Sequence, residues 1–272
     1  KENQNKIFES GELSEGPWNN QLSEKIKSIC SIKNAICVNS NGSGLVALLL
    51  IYKEYYERKD VMIQSNTMYG VKTITKTAGY NLVDFIECQL ETLMPSFEDV
   101  KKAINNYKGE TKNLIILLSD IGGIINPDIK KIAAICKEKN IILIEDAAEA
   151  HGQIVGNRKC GSFGLISTMS FYANKHVTTG EGGLLLTNDD KIKKNADIMR
   201  NLGFRPDKRF QHDEFYWNYR LGGLQASLGV SQLKNLEKNI SSKIKQGNYY
   251  QQQLEIIKDK VQLPIKEING TI

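Results

Sequence analysis

The sequence predicts an α/β protein with a mainly parallel sheet that is covered by helices on both faces. Short apolar segments such as NLIILLS and IILIED have the length of buried strands. Amphipathic segments such as PDIKKIAAICKEKN separate them. Strands that are apolar throughout and alternate with helices are typical of parallel sheets buried on both sides. The composition, with 40% hydrophobic and 25% charged residues, is that of a globular protein.

The other elements follow the same alternation. In chain order we expect a helix in NQLSEKIKSICSI, a strand in NAICV, a long helix entered at Leu45, a strand in DVMIQ, a helix in VKTITKTAG and a strand in NLVDFI. Ser96 is the predicted N-cap of the next helix, with Asp99 three residues later as its capping partner. Strands in LISTMSF and GGLLLTND follow, and then one or two long helices over residues 221–258.

This pattern predicts two units. Residues 1–235 are expected to form a large α/β domain. Residues 236–272 are expected to form a helical segment that leads into an incomplete smaller domain. No internal repeat is evident in the sequence.

Charge and cysteine content argue against several classes of protein. The net charge of +5 is mild, and Lys and Glu are interleaved, so no nucleic-acid-binding surface is expected. The five cysteines are scattered without C-x-x-C spacing, which predicts reduced thiols in a cytoplasmic protein and no metal site. The longest apolar runs are too short or too interrupted to span a bilayer, so no membrane association is expected.

Ligands of parallel α/β sheets bind beyond the carboxyl ends of the strands, where this sequence places unusual residues. CVNSNGSG leaves a predicted strand through Asn41, Gly42, Ser43 and Gly44. Small residues before a helix allow backbone N–H groups to approach a phosphate. The same residues also suit a tight turn between a strand and a helix, so both interpretations remain open here.

Asp146 ends a buried strand, where a carboxylate is poorly solvated and needs a cation or hydrogen-bond donors. It could hold a protonated heterocyclic nitrogen, or it could cap the short helical segment AAEAHG. His151 in that segment has no second metal ligand at helical spacing, which favours a packed or hydrogen-bonded histidine.

Lys175 lies 29 residues after Asp146, between the apolar segment LISTMSFYA and the glycine-rich TTGEGG. A lone lysine is ordinarily a solvated surface residue. A lysine that is half-buried at the opening of a binding site, however, can form a Schiff base. A phosphate-binding turn, an aspartate at a strand end and such a lysine together indicate pyridoxal 5′-phosphate.

Three long motifs resemble those of the DegT/DnrJ/StrS family of pyridoxal-phosphate-dependent nucleotide-sugar aminotransferases. They are EDAAEAHG, GSFGLISTMSFYANKHVTTGEGGLLLTND and NYRLGGLQASLGVSQLKNLE, in the order found in the family. The likeness extends from about residue 14 to about residue 264. It implies fold type I of the pyridoxal-phosphate-dependent transferases, which is aspartate aminotransferase-like, with the small C-terminal domain missing or incomplete.

The resemblance also implies roles for individual residues. Lys175 matches the Schiff-base lysine, and Asp146 matches the partner of the pyridine nitrogen, so these two are the candidate catalytic residues. Glu149 matches the residue near the hydroxyl group of the cofactor ring. The family chemistry implies that the cofactor alternates between pyridoxal and pyridoxamine phosphate.

Further cofactor contacts follow from the same motifs. Gly42, Ser43 and Ser170 match the phosphate-binding positions. Where the family usually has an aromatic residue stacked on the pyridine ring, this sequence offers Met68, with Tyr69 beside it. The segment LLSDIGGIINP replaces a loop that more often contains histidine in the family.

Asn218 and Arg220, in YWNYRL, match a family segment that reaches the neighbouring subunit's site. The resemblance therefore implies a homodimer with shared active sites. Tyr69, His212 and Arg220 are candidate substrate-binding residues. A basic stretch that could meet a diphosphate, or could be a solvated loop, consists of Arg205, Lys208, Arg209 and His212.

The implied reaction transfers an amino group from L-glutamate to a nucleotide-linked keto-sugar, such as a 4-keto-6-deoxyhexose, for amino-sugar and cell-surface polysaccharide synthesis. One alternative is a sugar dehydratase on the same scaffold. Those relatives have histidine in place of the Schiff-base lysine, whereas this sequence has Lys175 followed by His176. A second alternative is a homologue that binds ligands without catalysis.

Overall fold

The fold is built around a seven-stranded mixed sheet with the strand order β1-β9-β8-β5-β4-β2-β3. The computed structural model describes residues 2–205, 207–208, 210–212 and 216–265. The strands are β1 (Asn34–Val38), β2 (Asp60–Gln64), β3 (Asn81–Ile86), β4 (Leu114–Ser119), β5 (Ile142–Asp146), β6 (Ile154–Val155), β7 (Arg158–Lys159), β8 (Ile166–Ser170) and β9 (Gly183–Thr187). Within the sheet only β9 runs against its neighbours, β1 and β8. Strands β6 and β7 form a separate short hairpin.

Helices cover both faces of the sheet. In chain order they are α1 (Glu2–Ser10), α2 (Pro17–Cys30), α3 (Asn41–Tyr56), α4 (Tyr69–Thr77), α5 (Phe97–Asn106), α6 (Ile129–Glu138), α7 (Asp190–Met199), α8 (Gly223–Leu233) and α9 (Leu236–Leu254). Helices α3, α4 and α7 pack on one face, and α2, α5 and α6 pack on the other. No helix in the described part of the chain combines the length and apolar character needed to cross a bilayer.

Alternating side chains divide the strands between two apolar clusters. In β4, Ile115 and Leu117 join the cluster around α3, while Ile116 and Leu118 join the cluster around α5 and α6. This alternation follows from the two-residue period of a strand, which sends successive side chains to opposite faces. It continues through the last residues of β4 and β5, where the side chains become polar.

The α/β class and the mainly parallel sheet predicted from the sequence are confirmed. Ser96 caps α5, and its hydroxyl accepts from the N–H of Asp99 while the Asp99 carboxylate accepts from the Ser96 N–H. The predicted helical stretch after residue 221 consists of two helices, α8 and α9. The division into two units at residue 235 stays a prediction.

One helix boundary was predicted wrongly. Helix α3 begins at Asn41, with Ser40 as its N-cap, rather than at Leu45. The Ser40 hydroxyl accepts the N–H of Ser43 at 3.0 Å, which stabilises an additional turn composed of small residues. Helices α1 and α7 and the β6–β7 hairpin are not among the elements predicted from the sequence.

Gly183 allows the start of β9 to lie against the start of α3. A Cβ atom at this position would lie 2.7 Å from the backbone nitrogen of Asn41 and 2.7 Å from the carbonyl carbon of Ser40. Real Cβ atoms do not approach backbone atoms so closely, so any side chain here would displace the N-terminus of α3 from the sheet.

We therefore expect Gly183→Ala to lower the free energy of unfolding by about 1–3 kcal/mol through overpacking. Gly247→Ala is the matched control, because Gly247 lies within α9 and a Cβ there would meet no described atom within 4 Å outside the local backbone of the helix. Alanine at an open helical position should be neutral or stabilising, by up to about 1 kcal/mol. Urea unfolding curves of the two variants and the unsubstituted protein measure the difference, and equal midpoints for both variants would contradict this account.

Candidate active site

A cavity of about 450 Å³ lies at the carboxyl ends of β4, β5 and β8, beside the N-terminus of α3. This is the edge of the sheet where ligands bind in α/β proteins. Six of the residues predicted from the sequence line the cavity: Gly42, Met68, Asp146, Glu149, Ser170 and Lys175. The structure therefore brings together residues that are up to 133 positions apart, from Gly42 to Lys175.

Asp146 is the last residue of β5, and its side chain is 6% exposed. In the sheet it lies between Ser119 of β4 and Thr168 of β8, which point to the same face. Its carboxylate accepts from the Ser119 hydroxyl at 3.4 Å, the Thr168 hydroxyl at 3.3 Å and the backbone N–H of Ala148 at 3.3 Å. Among the described residues, no cationic side chain forms an ion pair with it.

Asn41 orients Asp146 from above the sheet. Its amide Nδ2 donates to Asp146 Oδ1 at 3.0 Å, while its own Oδ1 is buried and has no hydrogen-bond partner among the described residues. Burial raises the pKa of Asp146, and the hydrogen bonds from Asn41, Ala148 and Thr168 oppose that rise. The carboxylate is thus held in place, and a cation in the cavity would complete its environment.

Lys175 and Glu149 form an ion pair at the side of the cavity, with 2.9 Å between Lys175 Nζ and Glu149 Oε1. The lysine side chain is 14% exposed, so it is semi-buried as predicted. The backbone N–H of Gly122 donates to the other Glu149 oxygen at 2.9 Å. Burial disfavours the charged form of Glu149, but the Lys175 ammonium and the Gly122 N–H outweigh it and hold the pKa of Glu149 below its usual value.

Of the three predicted phosphate-binding residues, Gly42 and Ser170 line the cavity and Ser43 does not. Gly42 lies in the first turn of α3 and lines the cavity, and Ser170 at the end of β8 lines it from the other side. The Ser43 hydroxyl instead donates to Asn39 Oδ1 at 2.5 Å. The N-terminus of a helix attracts an anion through its free N–H groups and its dipole.

Met68 lines the cavity, whereas the neighbouring Tyr69 does not. Tyr69 begins α4 with 74% of its surface exposed, and Lys72 Nζ lies 5.5 Å from the centre of its ring. Of the two residues considered for covering a cofactor ring, Met68 is the one in the cavity wall.

The candidates near residue 218 lie outside this cavity. Asn218 forms an isolated β-bridge with Asn201, and Arg220 Nη1 donates to Asn201 Oδ1 at 2.5 Å. The His212 ring contacts the carbonyl oxygen of Leu202 at 2.9 Å. Of the predicted basic stretch, Arg209 lies outside the described residues. The assignment of Asn218 to a partner subunit's site stays a prediction.

His151 is 4% exposed and packs against the ring of Phe171, with 5.7 Å between ring centres. Burial lowers its pKa to about 3, with the positive charges of His176 and Lys175 acting in the same direction. The ring is therefore neutral at neutral pH. The part of the chain that the structure describes contains no cluster of His, Cys, Asp and Glu that could hold a metal ion.

A second cavity of about 510 Å³ is also lined by Glu149. The loop at Gly122 and Gly123, the rings of His151 and His176, and one side of α9 contribute to its walls. Because Glu149 lines both cavities, the two cavities adjoin at this residue.

Sequence reasoning missed Asn41, Ser119 and Thr168 as partners of Asp146. Ser119 and Thr168 were in predicted strands, but their place beside Asp146 depends on which strands are neighbours and on the register between them. Asn41 was considered only as part of a possible phosphate-binding turn.

Comparison with known proteins identifies the class. The model of the DegT/DnrJ/EryC1/StrS aminotransferase family matches residues 1–270. The chain is 33% identical to the GDP-perosamine synthase of Vibrio cholerae over 269 residues, which are 98% of this chain and 70% of that protein. It is 34% identical to the GDP-perosamine synthase of Caulobacter vibrioides over 249 residues, which are 89% of this chain and 63% of that protein. The chain therefore belongs to the DegT/DnrJ/EryC1/StrS aminotransferase family.

Solved structures share the fold. Helicobacter pylori PseC, described as an aminotransferase of pseudaminic acid biosynthesis, has a TM-score of 0.78 and 24% identity, covering 87% of this chain and 62% of that one. A GDP-4-keto-6-deoxymannose-3-dehydratase variant with bound GDP-perosamine has a TM-score of 0.83 and 22% identity, covering 95% and 70%. The fold expected from the family resemblance is thus confirmed.

Within the family, the SFYANK and TTGEGG segments and the spacing of His212 to Asn218 look most like GDP-perosamine synthases, and the relatives named above agree with this. The chain spans 57% to 70% of the length of three such synthases. Aminotransferases of this family use pyridoxal phosphate, and one structural neighbour, an Escherichia coli dehydratase, is described with hydrated pyridoxal phosphate bound.

The residues of the cavity fit this cofactor. Asp146 is a buried carboxylate without a cation among the described residues, and a protonated pyridine nitrogen would supply one. Gly42 and the N-terminus of α3 form a part of the cavity wall that suits a phosphate group. Lys175 supplies the amine for the aldehyde, and Met68 provides an apolar wall.

Because His151 is neutral in the folded protein, its presence should make stability depend on pH. Between about pH 6.5 and about pH 3 the unfolded chain binds a proton at this residue that the folded chain does not bind. The free energy of unfolding therefore falls as the pH falls through this window, by up to about 1.4 kcal/mol per pH unit.

Removing the imidazole by His151→Phe should flatten this slope, whereas His212→Gln, at an exposed histidine, should leave it unchanged. Urea unfolding at about pH 7 and about pH 5 measures the effect. A slope that His151→Phe leaves as steep as before would show that the imidazole is charged in the folded state.

Proposed function

We propose that this chain is the α/β part of a pyridoxal-phosphate-dependent aminotransferase. It transfers an amino group from L-glutamate to a nucleotide-linked keto-sugar, a 4-keto-6-deoxyhexose. The observation that carries the proposal is the placement of the Lys175 amine and the uncompensated Asp146 carboxylate in one cavity beside a helix N-terminus. An aminotransferase that uses this cofactor needs a lysine for the Schiff base, and a carboxylate beside the ring nitrogen and a phosphate cradle suit the rest of the cofactor.

Each side chain has a definite part in this reaction. When bound, the cofactor supplies an electron sink for the bond that is broken at the amino donor's Cα. Lys175 holds the cofactor between reactions, and its freed amine moves the proton at the donor's Cα. Asp146 keeps the proton on the ring nitrogen, because a cation beside a buried carboxylate is strongly favoured. Glu149 positions the Lys175 amine from 2.9 Å.

The name of one relative supports a sugar that carries nitrogen at carbon 4. Three relatives are GDP-perosamine synthases, and another, from Helicobacter pylori, is a UDP-4-amino-4,6-dideoxy-N-acetyl-β-L-altrosamine transaminase. A 4-amino-4,6-dideoxy product corresponds to a 4-keto-6-deoxy substrate. GDP and UDP both occur among these names, so the nucleotide stays open. The second cavity, which shares the Glu149 wall, offers room next to the site of the transfer.

The proposed enzyme is a cytoplasmic homodimer. Asn218 and Arg220 lie outside the cavity of their own chain, which agrees with a role in the partner subunit's site. Nearby, Trp217 has 56% of its surface exposed, which leaves it available to a second copy of the chain. The odd number of scattered cysteines favours a reducing compartment.

Substitution of the lysine tests the role that the chemistry depends on. Lys175→Ala should abolish turnover and the yellow absorption of the lysine-bound cofactor. Lys175→Arg should do the same although it keeps a cation beside Glu149, because a guanidinium stays protonated and forms no Schiff base. Lys101→Ala, at an exposed lysine of α5, is the control and should remain active. An active, yellow Lys175→Ala protein would refute the proposal.

Product analysis separates transfer from elimination. The full-length enzyme, incubated with GDP-, UDP- or dTDP-linked 4-keto-6-deoxyhexoses and L-glutamate, should release an aminated sugar and an equal amount of 2-oxoglutarate. Mass spectrometry identifies the sugar product. A deoxygenated sugar would instead support the dehydratase alternative, and no conversion of any sugar with bound cofactor would support the non-catalytic one.

A further inference from the structure

Two further carboxyl groups lie close to the cavity, with side chains on the opposite face of the sheet from Asp146, and one of them, Asp120, belongs to a residue that lines the cavity. Asp120 directly follows β4 and is 2% exposed, and Glu145 precedes Asp146 in β5 and is fully buried. The alternation of side chains along a strand places both on the face that carries Leu118 and Leu143. Neither group forms an ion pair within the described residues, and neither has a role in the proposed reaction.

The hydrogen bonds of the two groups differ strongly. Glu145 accepts from the backbone N–H groups of Gly161 at 2.7 Å, Phe163 at 2.8 Å and Gly164 at 3.1 Å, and from the Ser167 hydroxyl at 3.0 Å. The backbone N–H of Asn126 faces the Asp120 carboxyl group and opposes the rise of its pKa. Asp120 Oδ2 is buried and has no donor among the described residues. The donors around Glu145 favour its ionised form over that of Asp120.

The Asp120 carboxyl also lies within hydrogen-bonding reach of the Glu145 carboxyl. Two ionised carboxylates only accept hydrogen bonds, so they cannot bond to each other. Away from water, their repulsion is weakly screened, and one proton between them converts it into a charge-assisted hydrogen bond.

We propose that Asp120 is a positioning residue that carries a proton and donates it to the Glu145 carboxylate. The pair then holds one negative charge instead of two beside the cavity. The neutral Asp120 fixes the loop from residue 120 to residue 126 against the end of β5.

The groups that face Asp120 agree with this assignment. Burial raises its pKa well above the usual value, and the negative charges of Glu145 and Asp146 add to the rise. The thiol of Cys160 faces the two carboxyl groups and has a pKa raised by its contact with Cys30 and by burial, so it remains neutral. Among the described residues, no cationic side chain is a main cause of the pKa shift of either carboxyl group.

The loop fixed by Asp120 controls the geometry around the reactive lysine. The backbone N–H of Asp120 donates to the carbonyl oxygen of Asp146 at 3.0 Å, and its carbonyl oxygen accepts from the Gly123 N–H at 3.2 Å. Between them, the Gly122 N–H holds Glu149, which holds Lys175. The consequence for turnover rests on the proposed function, whereas the presence of the proton does not.

Three variants of the cofactor-loaded, full-length protein test the inference. Asp120→Asn reproduces the protonated form, since its amide nitrogen donates to Glu145 and its oxygen accepts from Asn126. Asp120→Leu has similar size and neither hydrogen bond. Asp84→Asn, at an exposed aspartate of β3, is the control for the same chemical change.

Infrared spectroscopy at neutral pH detects the proton directly. The wild-type protein and Asp84→Asn should share a carbonyl band of a protonated carboxylic acid, which shifts in deuterium oxide, and Asp120→Asn should lack it. If the spectra of wild type and Asp120→Asn show the same protonated-acid band, the inference is wrong. This result does not depend on turnover, so it decides the proton's presence even if no sugar is aminated.

Amination kinetics test the positioning role. Asp120→Asn should keep kcat/KM within about twofold of wild type, and Asp120→Leu should lose about tenfold or more, as expected when a hydrogen bond to a charged group is removed. Full activity of Asp120→Leu, or an equal loss in Asp120→Asn, would overturn the role. If Asp120→Leu does not fold, Asp120→Asn still decides between a neutral and a charged side chain.

Discussion

The charge of Asp146 is the constraint on which the arrangement of the site depends. This carboxylate is 6% exposed at the end of a central strand, and the described residues provide it with hydrogen-bond donors but with no cation. Desolvation of an unpaired charge is costly, and donors offset only part of that cost. The site therefore favours a ligand that carries a positive charge to this point, as a protonated pyridine ring does. Asn41, Ser119 and Thr168 keep the carboxylate aimed into the cavity until that ligand binds.

The two faces of the sheet carry carboxyl groups with different electrostatic roles. On the face of α3, Asp146 lines the cavity, and the N-terminus of α3, which lines the same cavity, offers positive potential. On the opposite face, Glu145 accepts hydrogen bonds from the backbone N–H groups of Gly161, Phe163 and Gly164, and from the inferred proton of Asp120. The same β5 sequence, Glu145 followed by Asp146, supplies both because adjacent strand residues point in opposite directions. Of the charges of Asp146 and Glu145, only that of Asp146 is left for the cofactor to neutralise.

The sequence could predict what depends on local pattern. The buried strands, the Ser96 cap and the meeting of Lys175 with Asp146 follow from periodicity, capping chemistry and the shared edge of parallel strands. It could not predict that Asn41 reaches Asp146, because that contact depends on how α3 lies on strands more than one hundred residues away. The boundary of α3 was missed because the Ser40 cap adds a turn of residues with weak helix preference. The role of Tyr69 came from family resemblance alone, and that of Ser43 came from the small-residue turn and the resemblance together, yet neither residue lines the cavity.

The protonation state of the cofactor's ring nitrogen tests the central claim most directly. Nitrogen-15 NMR of the full-length enzyme, loaded with pyridoxal phosphate labelled at the ring nitrogen, distinguishes a protonated from an unprotonated pyridine by its chemical shift. We predict a protonated nitrogen in the wild-type enzyme at neutral pH and an unprotonated nitrogen in Asp146→Asn. An unprotonated nitrogen in the wild-type enzyme, or a protonated one in both proteins, would contradict the account.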